Sequence, residues 1–107
     1  METTWLLDEI ERQRDTLAVL CRRFRVHRLA VFGSAVTGEF RPGESDLDFL
    51  VEFEPGLATG HADRYFGLLE ALEALFEHKV DLVVASAIRN PYFLEAIERT
   101  ERVLYAA

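Results

Sequence analysis

The stretch VFGSAVTGEFRPGESDLDFLVEF, Val31 to Phe53, decides how this chain is read. One apolar run ends on the pair Gly33-Ser34. After a loop punctuated by Gly38, Pro42 and Gly43, the next apolar run opens with two aspartates. Val26 to Phe32 reads as a first strand that stops at Gly33, and Leu47 to Phe53 as a second. In the second strand Leu47, Phe49, Val51 and Phe53 point one way, toward a core. Asp46, Asp48, Leu50 and Glu52 point the other.

Asp46 and Asp48 therefore emerge side by side from one face, where like charges repel unless something neutralises them. A divalent cation between or beside them removes the repulsion. Mg²⁺ is the natural one, because it is satisfied by carboxylate oxygens, waters and substrate phosphates. Asp81 sits in the short apolar run Val80 to Val84, and an acid inside such a strand wants an explanation. If that strand lies beside the Asp46 strand, three carboxylates meet at one sheet surface and suffice for two metal ions. Gly33 lets the backbone approach a ligand closely. Ser34 is expected to cap a short helical turn and to offer its hydroxyl and backbone N–H groups to phosphate oxygens. The combination describes a metal-dependent triphosphate site.

Working outward, Leu6, Ile10, Leu17, Leu20, Cys21 and Phe24 recur at helical spacing and predict one helix from about Trp5 to Phe24, with Thr4 as its N-cap. Tyr65, Phe66, Leu68, Leu69, Leu72, Leu75 and Phe76 predict an amphipathic helix from about Ala62 to Glu77. Asn90-Pro91 supplies an N-cap and a first helical residue for a last helix traced by Phe93, Leu94, Ile97 and Leu104. The order α-β-turn-β-α-β-α implies a small sheet covered by helices.

The chain has 107 residues, half of them hydrophobic with eight Phe, which suits one domain with a real core. Its single cysteine, Cys21, excludes an internal disulfide framework and falls in a core position of the first helix. No basic segment followed by a long apolar one opens the sequence, and no stretch is long enough to span a membrane, so the expectation is a soluble, cytoplasmic protein. With 19 acidic against 12 basic residues the net charge is −7, which argues against direct nucleic-acid binding and suits a basic protein partner. His27, His61 and His78 share no zinc-ligand spacing. Arg22, Arg23, Arg25 and Arg28 cluster where the first helix ends, a favourable place for cations. Tyr65, Tyr92 and Tyr105 read as packing aromatics.

Gly33-Ser34, Gly38 and Ser45-Asp46-Leu47-Asp48 followed by Phe49-Leu50-Val51 resemble the G-S-x(3)-G … S-D-x-D signature of the polymerase-beta-like nucleotidyltransferase superfamily. The short length, Val80-Asp81-Leu82-Val83 and the closing Asn90-Pro91-Tyr92 helix are similar to its minimal nucleotidyltransferase, or MntA-type, branch. The resemblance implies an α/β (α+β) fold with a small mixed β-sheet flanked by helices, and a single minimal nucleotidyltransferase domain over residues 1–107. It implies transfer of AMP from ATP, with Mg²⁺ (two ions), to a tyrosine of a HEPN-domain toxin that the protein serves as antitoxin. Carried over residue by residue, Gly33 and Ser34 hold the nucleotide phosphates. Asp46 and Asp48 ligate the metals, and Asp81 is the third carboxylate, helping to deprotonate the incoming hydroxyl. One departure stands out: the branch often reads G-S-x-A-R-G, whereas Val36-Thr37 precede Gly38 here, so either Arg41 or another cation substitutes, or nucleotide and partner handling differ. Two further readings follow, a non-catalytic antitoxin that covers its partner and a nucleotidyltransferase for a small molecule such as an aminoglycoside.

Overall fold

A computed structural model describes residues 4–107. Two helices come first, α1 (Thr4–Arg12) and α2 (Arg14–Arg23), followed by strand β1 (Val26–Phe32) and the single turn α3 (Ser34–Thr37). Then come β2 (Leu47–Phe53), α4 (His61–Phe76), β3 (Val80–Val84), a 3-10 turn at Ala85–Ala87, α5 (Pro91–Thr100) and β4 (Arg102–Ala106). The sheet order is β3-β2-β1-β4. β1 is antiparallel to both β2 and β4, and β2 is parallel to β3, with α4 as the crossover. Among the described residues, no helix is long and apolar enough to cross a membrane.

The alternation read in the second strand is what buries it. Leu47, Phe49 and Val51 lie in the larger core, with Leu17, Cys21, Leu29, Leu68 and Leu72 from the helices and β1. Leu50, on the opposite face, is buried as well, in a smaller cluster with Phe32 and Ile97 of α5. The sheet is therefore covered on both faces. Cys21 is fully buried, and burial pushes its thiol up to about 12; it fills space.

Two expectations are corrected. The first helix is two. At Gln13 the N–H turns back to the Ile10 carbonyl at 3.1 Å, a tighter-than-helical bond, and the chain re-enters a helix at Arg14. The break lets α1 pack on α3 while α2 packs on β1 and β4, which one straight rod cannot do. The expected Thr4 cap lies outside the residues whose side chains the structure describes.

The last helix also ends earlier than its apolar spacing predicts. Leu104 falls in helical phase with Ile97, but it belongs to β4 and packs into the larger core, across the sheet from Ile97. Asn90 does cap α5, its side chain accepting the N–H groups of Tyr92 and Phe93 at 2.9 and 3.4 Å. β4 is an outer strand with a register shift between Leu29 and Ala30 of its partner. Arg14 donates to the Val103 and Leu104 carbonyls at 3.1 and 3.4 Å, so a side chain occupies acceptors that an edge otherwise leaves open.

Candidate active site

β1 and β2 run antiparallel, so the C-terminal end of β1 lies beside the N-terminal end of β2, with Phe32 opposite Asp48. Directly after Phe32, Gly33 adopts φ 75° and ψ −145°, a conformation closed to residues with a Cβ. It also sits tight against Asp48: a Cβ on Gly33 would fall 2.5 Å from Asp48 Oδ2. Gly33, and not Ser34, holds the N-cap position of α3; Ser34 is the first helical residue. The Gly33 carbonyl accepts the N–H groups of Val36 and Thr37, and the Ser34 carbonyl accepts those of Gly38 and Glu39. α3 is closed off by Gly38 in the left-handed conformation, φ 86°.

On the other side of β2, parallel pairing places Asp81 of β3 opposite Asp48, with Leu47 opposite Val80. The Leu47 N–H donates to the Lys79 carbonyl at 2.9 Å and fixes that register at its start. Asp46 immediately precedes β2 and, like Asp48, is half-buried, while Asp81 is exposed. The three are close enough to sense one another. Burial first, then the charges of Asp81 and Asp46, push the Asp48 carboxyl up to about 6. Among the described residues no arginine, lysine or histidine forms an ion pair with any of these aspartates.

Other acids of the sheet are treated differently. Arg25 pairs with Glu54 at 2.9 Å, and Arg28 with Glu101 and, at 3.9 Å, Glu52. Two members of the arginine cluster read from the sequence, Arg25 and Arg28, are thus spent on local acids. Among the described residues these acids are matched by cations, whereas Asp46, Asp48 and Asp81 are not.

The unmatched acids do not form a closed cage: among the described residues no group of three or more His, Cys, Asp or Glu side chains is disposed to hold a metal ion by itself. The donor set suits an ion shared with a ligand, because Mg²⁺ keeps several waters and is usually bound through one or two carboxylates plus phosphates. Asp48, partly desolvated and pressed by two like charges against the Gly33 backbone, is the group such an ion would relieve most. Two hollows, of about 640 and 500 Å³, lie at the carboxyl ends of β2 and β3 and under α5, lined among others by Phe53 and Ser86.

Two anchors were not read from the sequence. Phe40, deeply buried within the loop between α3 and β2, meets the His78 ring edge-on at 5.4 Å between centroids. It clamps that loop to the turn before β3. The signal was a lone aromatic in an otherwise polar, Gly- and Pro-bearing stretch. Tyr65 is the other, its hydroxyl donating to the Leu82 carbonyl at 2.7 Å and tying α4 to β3 next to Asp81. Arg41, the candidate substitute cation, is 80% exposed in its side chain and lies 3.8 Å from Glu44. Its backbone N–H donates to Ser45 Oγ at 3.0 Å and tightens the turn that leads into Asp46.

Comparison with known proteins gives a consistent result. Residues 14–104 match the family described as nucleotidyltransferase domain. A provisionally named protein adenylyltransferase of Methanocaldococcus jannaschii is 36% identical over 98 residues, 92% of this chain and 94% of that protein. The solved structure of a provisionally assigned minimal nucleotidyltransferase superposes with a TM-score of 0.73 at 32% identity, covering 95% of each chain. A chain from the complex of tri-AMPylated Shewanella oneidensis HEPN toxin with MNT antitoxin shares the fold, with a TM-score of 0.61 at 16% identity over 92% of this chain and 73% of that one.

Proposed function

This chain belongs to the nucleotidyltransferase domain family, and from that premise we propose that it is a protein adenylyltransferase that transfers AMP from ATP to a tyrosine hydroxyl of a HEPN-type toxin, as that toxin's antitoxin. The observation that carries the reading is the pairing of Asp48 with Asp81 across β2 and β3, beside Asp46 and the Gly33 bend, with no cation among the described residues paired to them. Its names come from similar proteins, one named for protein adenylylation and one solved with an AMPylated toxin.

In this reading Gly33 lets the triphosphate approach the backbone, and Ser34 presents its hydroxyl together with the first N–H groups of α3, which the turn's own bonds leave free. Asp46 and Asp48 would hold Mg²⁺, which would supply neutralisation of the triphosphate and of the departing pyrophosphate. The tyrosine oxygen attacks the α-phosphorus. A new O–P bond forms, the bond from that phosphorus to the bridging oxygen breaks, pyrophosphate leaves, and Asp81 accepts the phenol proton. Asp81 suits that task because it is the exposed member of the trio. Phosphoryl-type transfer depends on positioning and charge more than on covalent chemistry by the protein, and a rigid strand pair provides the positioning. The exposure of Asp81 fits a macromolecular acceptor that completes the site. A single minimal domain working in the cytoplasm, with no direct nucleic-acid contact, completes the proposal.

One observation favours a second reading. Thr37 stands where the family's arginine is usual, and Arg41 projects into solvent beside Glu44. A chain so altered would act as an antitoxin by covering its partner, without chemistry. One experiment separates the two: the purified chain is mixed with ATP, Mg²⁺ and the HEPN protein encoded beside it, and the partner is weighed by intact mass spectrometry. Additions of AMP that vanish in Asp46→Asn and Asp48→Asn establish transfer. A tightly bound, inactivated but unmodified partner establishes the second reading.

A further inference from the structure

The turn that delivers Asp81 contains a carboxylate with no part in the site just described. Glu73 lies within the last turn of α4, the end of a helix where a negative charge is disfavoured by the aligned peptide dipoles, and no basic residue accompanies it there. Its Oε2 accepts the backbone N–H of Val80, the residue before Asp81, at 3.1 Å. Its own carbonyl accepts the N–H of Glu77, the left-handed residue that ends α4 at φ 53°. One residue thus holds both the exit from the helix and the entry to the strand.

β3 is an outer strand, hydrogen-bonded on one side only, to β2. Ladder contact at its start is made by the Lys79 carbonyl with the Leu47 N–H. The Val80 N–H is taken by Glu73, although the Val80 side chain is only 7% exposed. A hydrogen bond to a carboxylate is stronger than one between neutral groups, so it holds the first residue of an edge strand that would otherwise fray. Asp81 follows on a five-residue strand, and its placement opposite Asp48 depends on where that strand begins.

We propose that Glu73 is a positioning residue for Asp81: by binding the Val80 N–H it fixes the start of β3 and sets Asp81 opposite Asp48. The proposal rests on the reading of these aspartates as cation ligands. Outer-shell partners of metal ligands characteristically affect affinity by tenfold or more.

The test measures Mn²⁺ binding to the whole chain with a non-hydrolysable ATP analogue present, by water-proton relaxation, together with exchange protection of the Val80 amide. Glu73→Ala and Glu73→Asp, the latter too short to reach, should each weaken Mn²⁺ binding about tenfold and expose the Val80 amide. Glu73→Gln keeps an acceptor oxygen and should stay within about twofold of the parent. Asp48→Asn serves as the reference for a lost ligand. Unaltered Mn²⁺ affinity in a folded Glu73→Asp chain whose Val80 amide is exposed overturns the positioning role alone. A parent chain that binds no Mn²⁺ beyond what the analogue alone holds overturns the cation reading and this proposal with it.

Discussion

Asp48 combines partial burial, two like-charged neighbours and contact with a strained glycine, and each has a measurable consequence. Its carboxyl is raised to about 6 in the folded chain from an ordinary 3.8, so the folded state favours the protonated form. Stability associated with that preference is fully present below about pH 4 and is lost as pH rises toward and through 6. Asp48→Asn removes the penalty. It should stabilise the fold at pH 8 by about 1–2 kcal/mol, the pKa shift discounted for partial solvent screening, and by about half as much at pH 5, in urea melts at the two pH values. Gain of equal size at both would mean that charge is not the cause. Gly33→Ala meets both a forbidden φ and a 2.5 Å approach to Asp48. It should cost about 2 kcal/mol or more and displace the carboxylate, read as a lowered melting temperature and loss of AMP transfer. At this scale the sequence was most informative: alternation alone put Asp46 and Asp48 on one face. The pairing of Asp81 with Asp48 required knowing which strands are neighbours, which local periodicity does not encode.

Strands and helices show where local pattern stops being sufficient. β1, β2 and β3 begin and end where their apolar alternation and flanking glycines place them, because turn chemistry at Gly33 and strand chemistry at Val80 act locally. β4 escaped because Leu104 keeps helical phase with Ile97, and only the two-faced sheet reveals that they serve different cores. Leu104→Ala should therefore cost about 2–4 kcal/mol, as for a core leucine, and hydrogen exchange should open β4 before β1 and β2. If Leu104 instead continued a solvent-facing helix, the change would cost little. The break at Gln13 is of the same kind: periodicity carries through it, and the separate targets of α1 and α2 are tertiary. Tyr65→Phe tests the α4 to β3 tie. Loss of its bond to the Leu82 carbonyl should cost about 1 kcal/mol in chemical denaturation.

Taken whole, the molecule sorts its charge. A chain of net charge −7 spends Arg25 and Arg28 on Glu52, Glu54 and Glu101 and, among the described residues, leaves Asp46, Asp48 and Asp81 unmatched. Overall composition gave the sign of that charge. Its distribution emerges only with strand order β3-β2-β1-β4, which sets the carboxylates on adjacent strands beside the Gly33 bend. The central claim is that these carboxylates receive a divalent cation together with a nucleotide triphosphate. The most direct measurement is a crystal structure of the chain with Mn²⁺ and a non-hydrolysable ATP analogue, with the metal located by anomalous scattering. A peak is expected at roughly 2.0–2.3 Å from oxygens of Asp48 and Asp46 or Asp81, with the phosphates against Gly33 and Ser34. A nucleotide seated elsewhere, or a metal peak away from these aspartates while the analogue is bound, would contradict it.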